Sequence, residues 1–150
     1  MKKLSLLVVF TWLLLWGAVA SATELVEKFS DDYVLQLLRN EGYNPEKMKD
    51  GLFRLKVDNT TIALFNKADG DMQLYYSPSG VRVPLENIND WNRTHRLSRA
   101  YLDGDKDPVL ESDLLSNGGL TEKHVTEFLK VFMMSVDAYR KFLAEHMQQR

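Results

Sequence analysis

Three runs of alternating residues, separated by two tight turns, restrict the fold more than any other feature of this chain. Phe53, Leu55 and Val57 alternate with Arg54 and Lys56, the period of a strand with one wet face. Asp58-Asn59-Thr60 connects this run to Thr61-Ile62-Ala63-Leu64-Phe65, and Asp69-Gly70 turns the chain into Met72-Gln73-Leu74-Tyr75-Tyr76. Strands joined by turns this short run antiparallel, because a parallel pair needs a much longer crossover. The result is an antiparallel meander, ended by Ser77-Pro78-Ser79-Gly80.

A sheet with one apolar face needs a cover, and the C-terminal stretch supplies one. Val125, Phe128, Leu129, Phe132, Met133, Val136, Tyr139, Phe142 and Leu143 recur at steps of three or four. They predict a helix over 122–147, capped by Thr121, with Glu127–Lys130 and Asp137–Lys141 as ion pairs on the opposite side. At ~1.5 Å per residue this helix spans roughly 40 Å, enough to cross the sheet. Two shorter helices are expected. Ser30 caps the first, Tyr33, Val34, Leu37 and Leu38 form its stripe, and Gly42 stops it. Pro84 opens the second, where Leu85, Ile88 and Trp91 share a face. Residues 43–51 read as a loop and turn. Residues 98–102 and 109–115 read as two further strands around Asp103-Gly104-Asp105-Lys106-Asp107. The fold class is therefore α+β: helix, three-strand meander, helix, two strands, long helix, with an antiparallel sheet of about five strands.

The N-terminus predicts export. Lys2-Lys3 precedes an apolar run over 4–16, and small residues follow with an A-x-A pattern at Ala20 and Ala22. A basic start, a short apolar core and a small-residue exit describe a secretory signal peptide over 1–22, cleaved after Ala22. The run is barely long enough to span a bilayer, so a permanent anchor is the weaker alternative. A single domain over 23–150, periplasmic or secreted, would remain, with no membrane span after cleavage. Of 19 basic side chains, the loss of Lys2 and Lys3 leaves 17 against 21 acidic, a net charge of −4. That balance offers nucleic acid no electrostatic footprint.

The residues also limit the chemistry. The chain has no cysteine, which excludes thiol catalysis, disulfide exchange and thiolate metal sites. His95, His124 and His146 do not fall at metal-ligand spacing, and no serine sits in a G-x-S-x-G elbow. Asp103, Asp105, Asp107, Glu111 and Asp113 suggest calcium. Counted from Asp103, however, Pro108 and Leu114 stand where an EF-hand needs glycine and an acid. A solvated hairpin tip accounts for those acids without a metal. Gly118-Gly119 before Thr121 lacks any phosphate-loop pattern and reads as a tight approach to the last helix. The expectation is a non-enzymatic chain with no cofactor and no metal.

Trp91 is the only tryptophan after residue 22. With Asn89 and Asn92 beside it and Arg93, Arg96 and Arg99 following, it suits a partner anchor. Sharing a face with Leu85 and Ile88 suits a core residue better, leaving its polar neighbours as a recognition rim. Trp91, Asn92, Arg96 and Arg99 are the candidate partner-binding residues. The long C-terminal stripe with Met133-Met134 suits a homodimer as well as a core.

Asn89-Asp90-Trp91-Asn92, Arg99-Ala100-Tyr101-Leu102-Asp103, Val109-Leu110-Glu111-Ser112-Asp113-Leu114 and Gly118-Gly119-Leu120-Thr121, in that order and spacing, resemble the YbjN-domain family. The resemblance runs from about Tyr33 to Leu143, and this bacterial family is labelled as sensory transduction regulators. It implies a fold like that of type III secretion chaperones, which are usually dimers that bind extended segments of client proteins. Many members look cytoplasmic, so the export signal here is a departure. The resulting expectation is an exported protein-binding domain, chaperone-like or regulatory, acting on a protein client or regulatory partner. A small-ligand or ion sensor of the bacterial envelope is the alternative.

Overall fold

The computed structural model describes residues 25–147, so the expected export signal lies outside the described residues. Its elements are α1 (Asp31–Asn40), β1 (Pro45–Lys49), β2 (Leu52–Val57), β3 (Thr60–Asn66), β4 (Met72–Tyr76), α2 (Leu85–Thr94), β5 (Arg99–Leu102), β6 (Pro108–Leu114) and α3 (Glu122–His146). The six strands form one antiparallel sheet in the order β1-β2-β3-β4-β6-β5. The fold class is α+β, as the sequence predicts.

The one added strand is β1, which the sequence reads as loop. Its residues Pro45-Glu46-Lys47-Met48-Lys49 expose every side chain but the first. An edge strand bears no apolar stripe, and proline at its start and lysines along it deter pairing with other chains. The signal that reveals β2 to β4 is therefore missing.

Alternation places Phe53, Leu55, Ile62, Leu64, Met72, Leu74, Tyr76, Ala100 and Leu110 on one face of the sheet, where they join the helices in a single core. Val34, Leu37 and Leu38 come from α1, and Ile88 and Trp91 from α2. Leu85 departs from expectation. At the first position of α2 it points away from the core and is 62% exposed. The long helix α3 buries Val125, Leu129, Phe132, Val136, Tyr139 and Leu143, each worth roughly 1.5–3 kcal/mol in apolar burial. Thr121 caps it together with the side chain of His124. The Glu127–Lys130 pair forms at 3.5 Å, whereas Asp137 lies beside Arg140 at 4.0 Å rather than pairing with Lys141.

A partly buried polar hub ties α1 to the meander. The Asp31 carboxylate accepts hydrogen bonds from Gly51 N–H at 2.8 Å and Asn66 Nδ2 at 2.9 Å, and Lys47 Nζ stands 3.1 Å away. Burial alone would raise the pKa of Asp31, but these donors outweigh it and hold the carboxyl below its ordinary value. Near the N-terminus, Val26 bridges to Leu120, and Gly119 adopts φ +87° where a Cβ would lie 2.7 Å from that of Leu25. Glycine is required there by both conformation and space.

Candidate functional site

The first strand of the second half, β5, has four residues, and its neighbour β6 has seven. Pairing between them ends at Arg99 and Glu111, while β6 continues to Leu114. Leu97, just before β5, sits at φ +67°, a conformation that costs a leucine about 1 kcal/mol or more, and the ladder with β6 does not extend to it. Its side chain is 65% exposed. The space left open is a groove of about 580 Å³ between the end of β6 and the first turns of α3. Leu97, Leu114, Phe128 and Val131 give it an apolar lining, and Arg99, Glu111, Asp113, His124 and Glu127 surround them.

The polar rim is organised by one buried carboxylate. Glu111 is 4% exposed, although it lies on the sheet face that carries no helix. It accepts hydrogen bonds from Arg99 Nη2 and from the Tyr101 hydroxyl, the latter at 2.9 Å, and the Arg99 guanidinium lies over the Tyr101 ring at 5.7 Å. A buried acid held by two donors fixes both donors in turn. Asp113, two residues along the same face, is exposed and accepts from the Gln73 amide at 3.0 Å. Ser112 Oγ donates to Leu97 O at 2.8 Å, and the buried Ser98 hydroxyl has no hydrogen-bond partner among the described residues.

The four residues singled out from sequence divide between two places. Arg99 stands on the rim of the groove, and exposed Arg96 precedes Leu97 in the chain. Trp91 is 1% exposed, on the helical side of the sheet. Its ring stacks against His95 at 3.6 Å and meets Tyr139 and Phe142 edge-on at 4.8 and 5.5 Å. The Tyr139 hydroxyl beside it is buried with no hydrogen-bond partner among the described residues, and burial pushes that phenol's pKa up. Asn92 serves the sheet: its Oδ1 accepts from Ala100 N–H at 2.9 Å and its Nδ2 donates to Ala100 O at 2.8 Å. One side-chain amide thus takes both backbone groups that β5 presents at its free edge at Ala100. Sequence reasoning missed Leu97, Leu114, Phe128 and Val131 as a set, since they come from three separated segments.

The acidic hairpin between β5 and β6 is internally satisfied. Asp103 accepts from the N–H groups of Asp105 and Asp107, both at 2.9 Å, and Asp107 pairs with Arg82. Among the described residues no group of three or more His, Cys, Asp or Glu could hold a metal ion, and no helix is long and apolar enough to cross a membrane. A further cleft of about 510 Å³ lies between the segment leading into α1 and the start of α3, where the Tyr33 hydroxyl donates to Glu122.

A family model described as "Putative bacterial sensory transduction regulator", YbjN, matches residues 30–145. The chain belongs to the YbjN family. No curated protein matches it in sequence. Among solved structures, the crystal structure of "YbjN, a putative transcription regulator from E. coli" is similar, with a TM-score of 0.64 and 16% identity. The similarity covers 84% of this chain and 100% of that one, and it shows the shared fold. The family is named for regulation and not for a reaction.

Proposed function

We propose that this YbjN-family chain is an exported, non-catalytic binding module, chaperone-like or regulatory, that captures a segment of another protein in the groove beside β6. The observation that carries this reading is the groove itself. It is open to solvent, has Leu114, Phe128 and Val131 in its lining, and includes an exposed leucine, Leu97, in a strained conformation. A small-ligand site calls for a few polar groups free to fix the ligand's orientation, whereas here Glu111 already has its donors and Arg99 is one of them. A segment laid across this lining would gain affinity by removing apolar area from water, and the rim would select among segments.

Export follows from the basic, apolar and small-residue order of residues 1–22. The partner is accordingly a protein of the bacterial envelope or of the exterior.

The test places a photocrosslinking residue at Arg96 of the full chain in its own host, with the exposed Lys56 position as control. A protein captured from Arg96 and not from Lys56, and lost when Val131→Asp puts a charge in the groove lining, is the expected result. Capture that is equal at both positions, or that survives Val131→Asp in a folded variant, would overturn the groove as the binding surface.

A further inference from the structure

The unpaired end of β6 has a definite polarity. Ala100 N–H and C=O are held by Asn92, so they point away from β6. In an antiparallel ladder these directions alternate, so Arg99 and Tyr101 turn their backbone groups toward Glu111 and Val109, their partners in register. Asp113, two residues beyond Glu111, turns its N–H and C=O the same way. At that point β5 has ended, with Leu97 O accepting from the Ser112 side chain instead of joining the ladder, while β4 still holds the other edge through the neighbouring Ser112 and Leu114, opposite Leu74 and Met72. The groove lies against this bare edge.

We propose that Asp113 and the overhang of β6 form a strand-addition site for an extended peptide of apolar–basic–apolar sequence. This rests on the groove reading above and specifies its occupant. A residue set opposite Asp113 exchanges two main-chain hydrogen bonds with it and points its side chain to the same, helix-free face. Among the described residues the Asp113 carboxylate accepts a single hydrogen bond, from a neutral amide, and forms no ion pair. Arg99 on the same face is taken by Glu111. A lysine or arginine opposite Asp113 supplies the missing charge. The residues before and after it point to the other face, where Leu114, Phe128, Val131 and Leu97 receive apolar side chains. Bare edges invite pairing, and elsewhere this protein blocks them, with Asn92 on β5 and lysines on β1.

A phage-displayed library of short peptides with randomised cores, selected against the protein and against Asp113→Lys, tests the proposal. The wild type is expected to select a basic residue between two apolar ones, and Asp113→Lys an acidic residue in that place. N-methylation of the central residue of a selected peptide removes its donor to Asp113 C=O and is expected to weaken binding about tenfold. Peptides that ignore Asp113→Lys and N-methylation but are lost with Val131→Asp would overturn strand addition and leave the groove reading standing. Peptides that ignore Val131→Asp as well, or a library that yields no binder, would overturn both. Self-association abolished by Asp113→Lys and by Val131→Asp would make the occupant a second copy and overturn the peptide assignment. Thermal melts of each variant establish that loss of binding is not loss of fold.

Discussion

Replacing Asp31 by asparagine keeps the size of the side chain and removes its charge. The carboxylate accepts from Gly51 N–H and Asn66 Nδ2 and has Lys47 beside it, so an amide in its place turns a donor toward other donors. Hydrogen bonds to a charged, partly buried group contribute about 1.5–3 kcal/mol, and the Lys47 pair, part-exposed, adds little. Asn66 keeps its second bond, to Phe29 O at 3.0 Å, which limits the loss. The expected cost of Asp31→Asn is about 2–3 kcal/mol, or a Tm lowered by roughly 6–12 °C for a chain of this size. The same carboxyl sets a pH dependence. Its folded pKa lies below the ordinary 3.8, so its stabilisation is complete above that value and is lost as pH falls through the lowered one. Urea unfolding of wild type and Asp31→Asn, followed by circular dichroism, measures the gap between them at neutral pH and in steps through the acid range. The gap is expected to close as the carboxyl protonates. A gap below about 0.5 kcal/mol at neutral pH, or one that stays constant into acid, would refute the reasoning.

Three further outcomes are expected. Asn92→Ala opens the β5 edge at Ala100, costs about 1–2 kcal/mol for two half-exposed bonds, and produces self-association visible by light scattering. Gly119→Ala forces a Cβ against Leu25 at positive φ; it should cost about 1–3 kcal/mol and make residues 25–30 more susceptible to limited proteolysis. Envelope material from the native host should begin at Thr23 by N-terminal sequencing; a chain found there that keeps Met1 would refute cleavage after Ala22, and absence of the protein from the envelope and medium would remove the export proposal.

Much of the fold was legible because much of it is written in periodic apolar residues. The meander and α3 announce themselves in this way, and Ser30 and Thr121 mark two helix starts by side-chain oxygens that do accept from Tyr33 and His124 N–H. The periodicity ends where burial ends. No stripe marks β1, and Leu85 fits the spacing of Ile88 and Trp91 yet sits where α2 has not reached the core. The site was harder to read. Arg99 stood out as a cation near tryptophan, but its partner Glu111 looked like one acid among several in a hairpin. A groove made by the unequal lengths of β5 and β6 depends on strand register and on the turn at Leu97, and neither is a property of composition. Asn92 shows the limit most plainly: spacing placed it beside Trp91, while its amide works on a strand eight residues away.

Trp91, stacked flat on His95, is the one indole after residue 22 and sits at a single junction of the fold. After residue 22 no other indole contributes, so emission reports whether α2 is docked on α3, with Tyr139 and Phe142 edge-on to the ring. The groove beside β6 has neither Trp91 nor His95 in its lining. Ligand titrations followed by tryptophan emission will therefore stay silent while the groove fills, and the same signal will fall away cleanly when the helices part. Binding and unfolding are optically separable in this molecule without any added label.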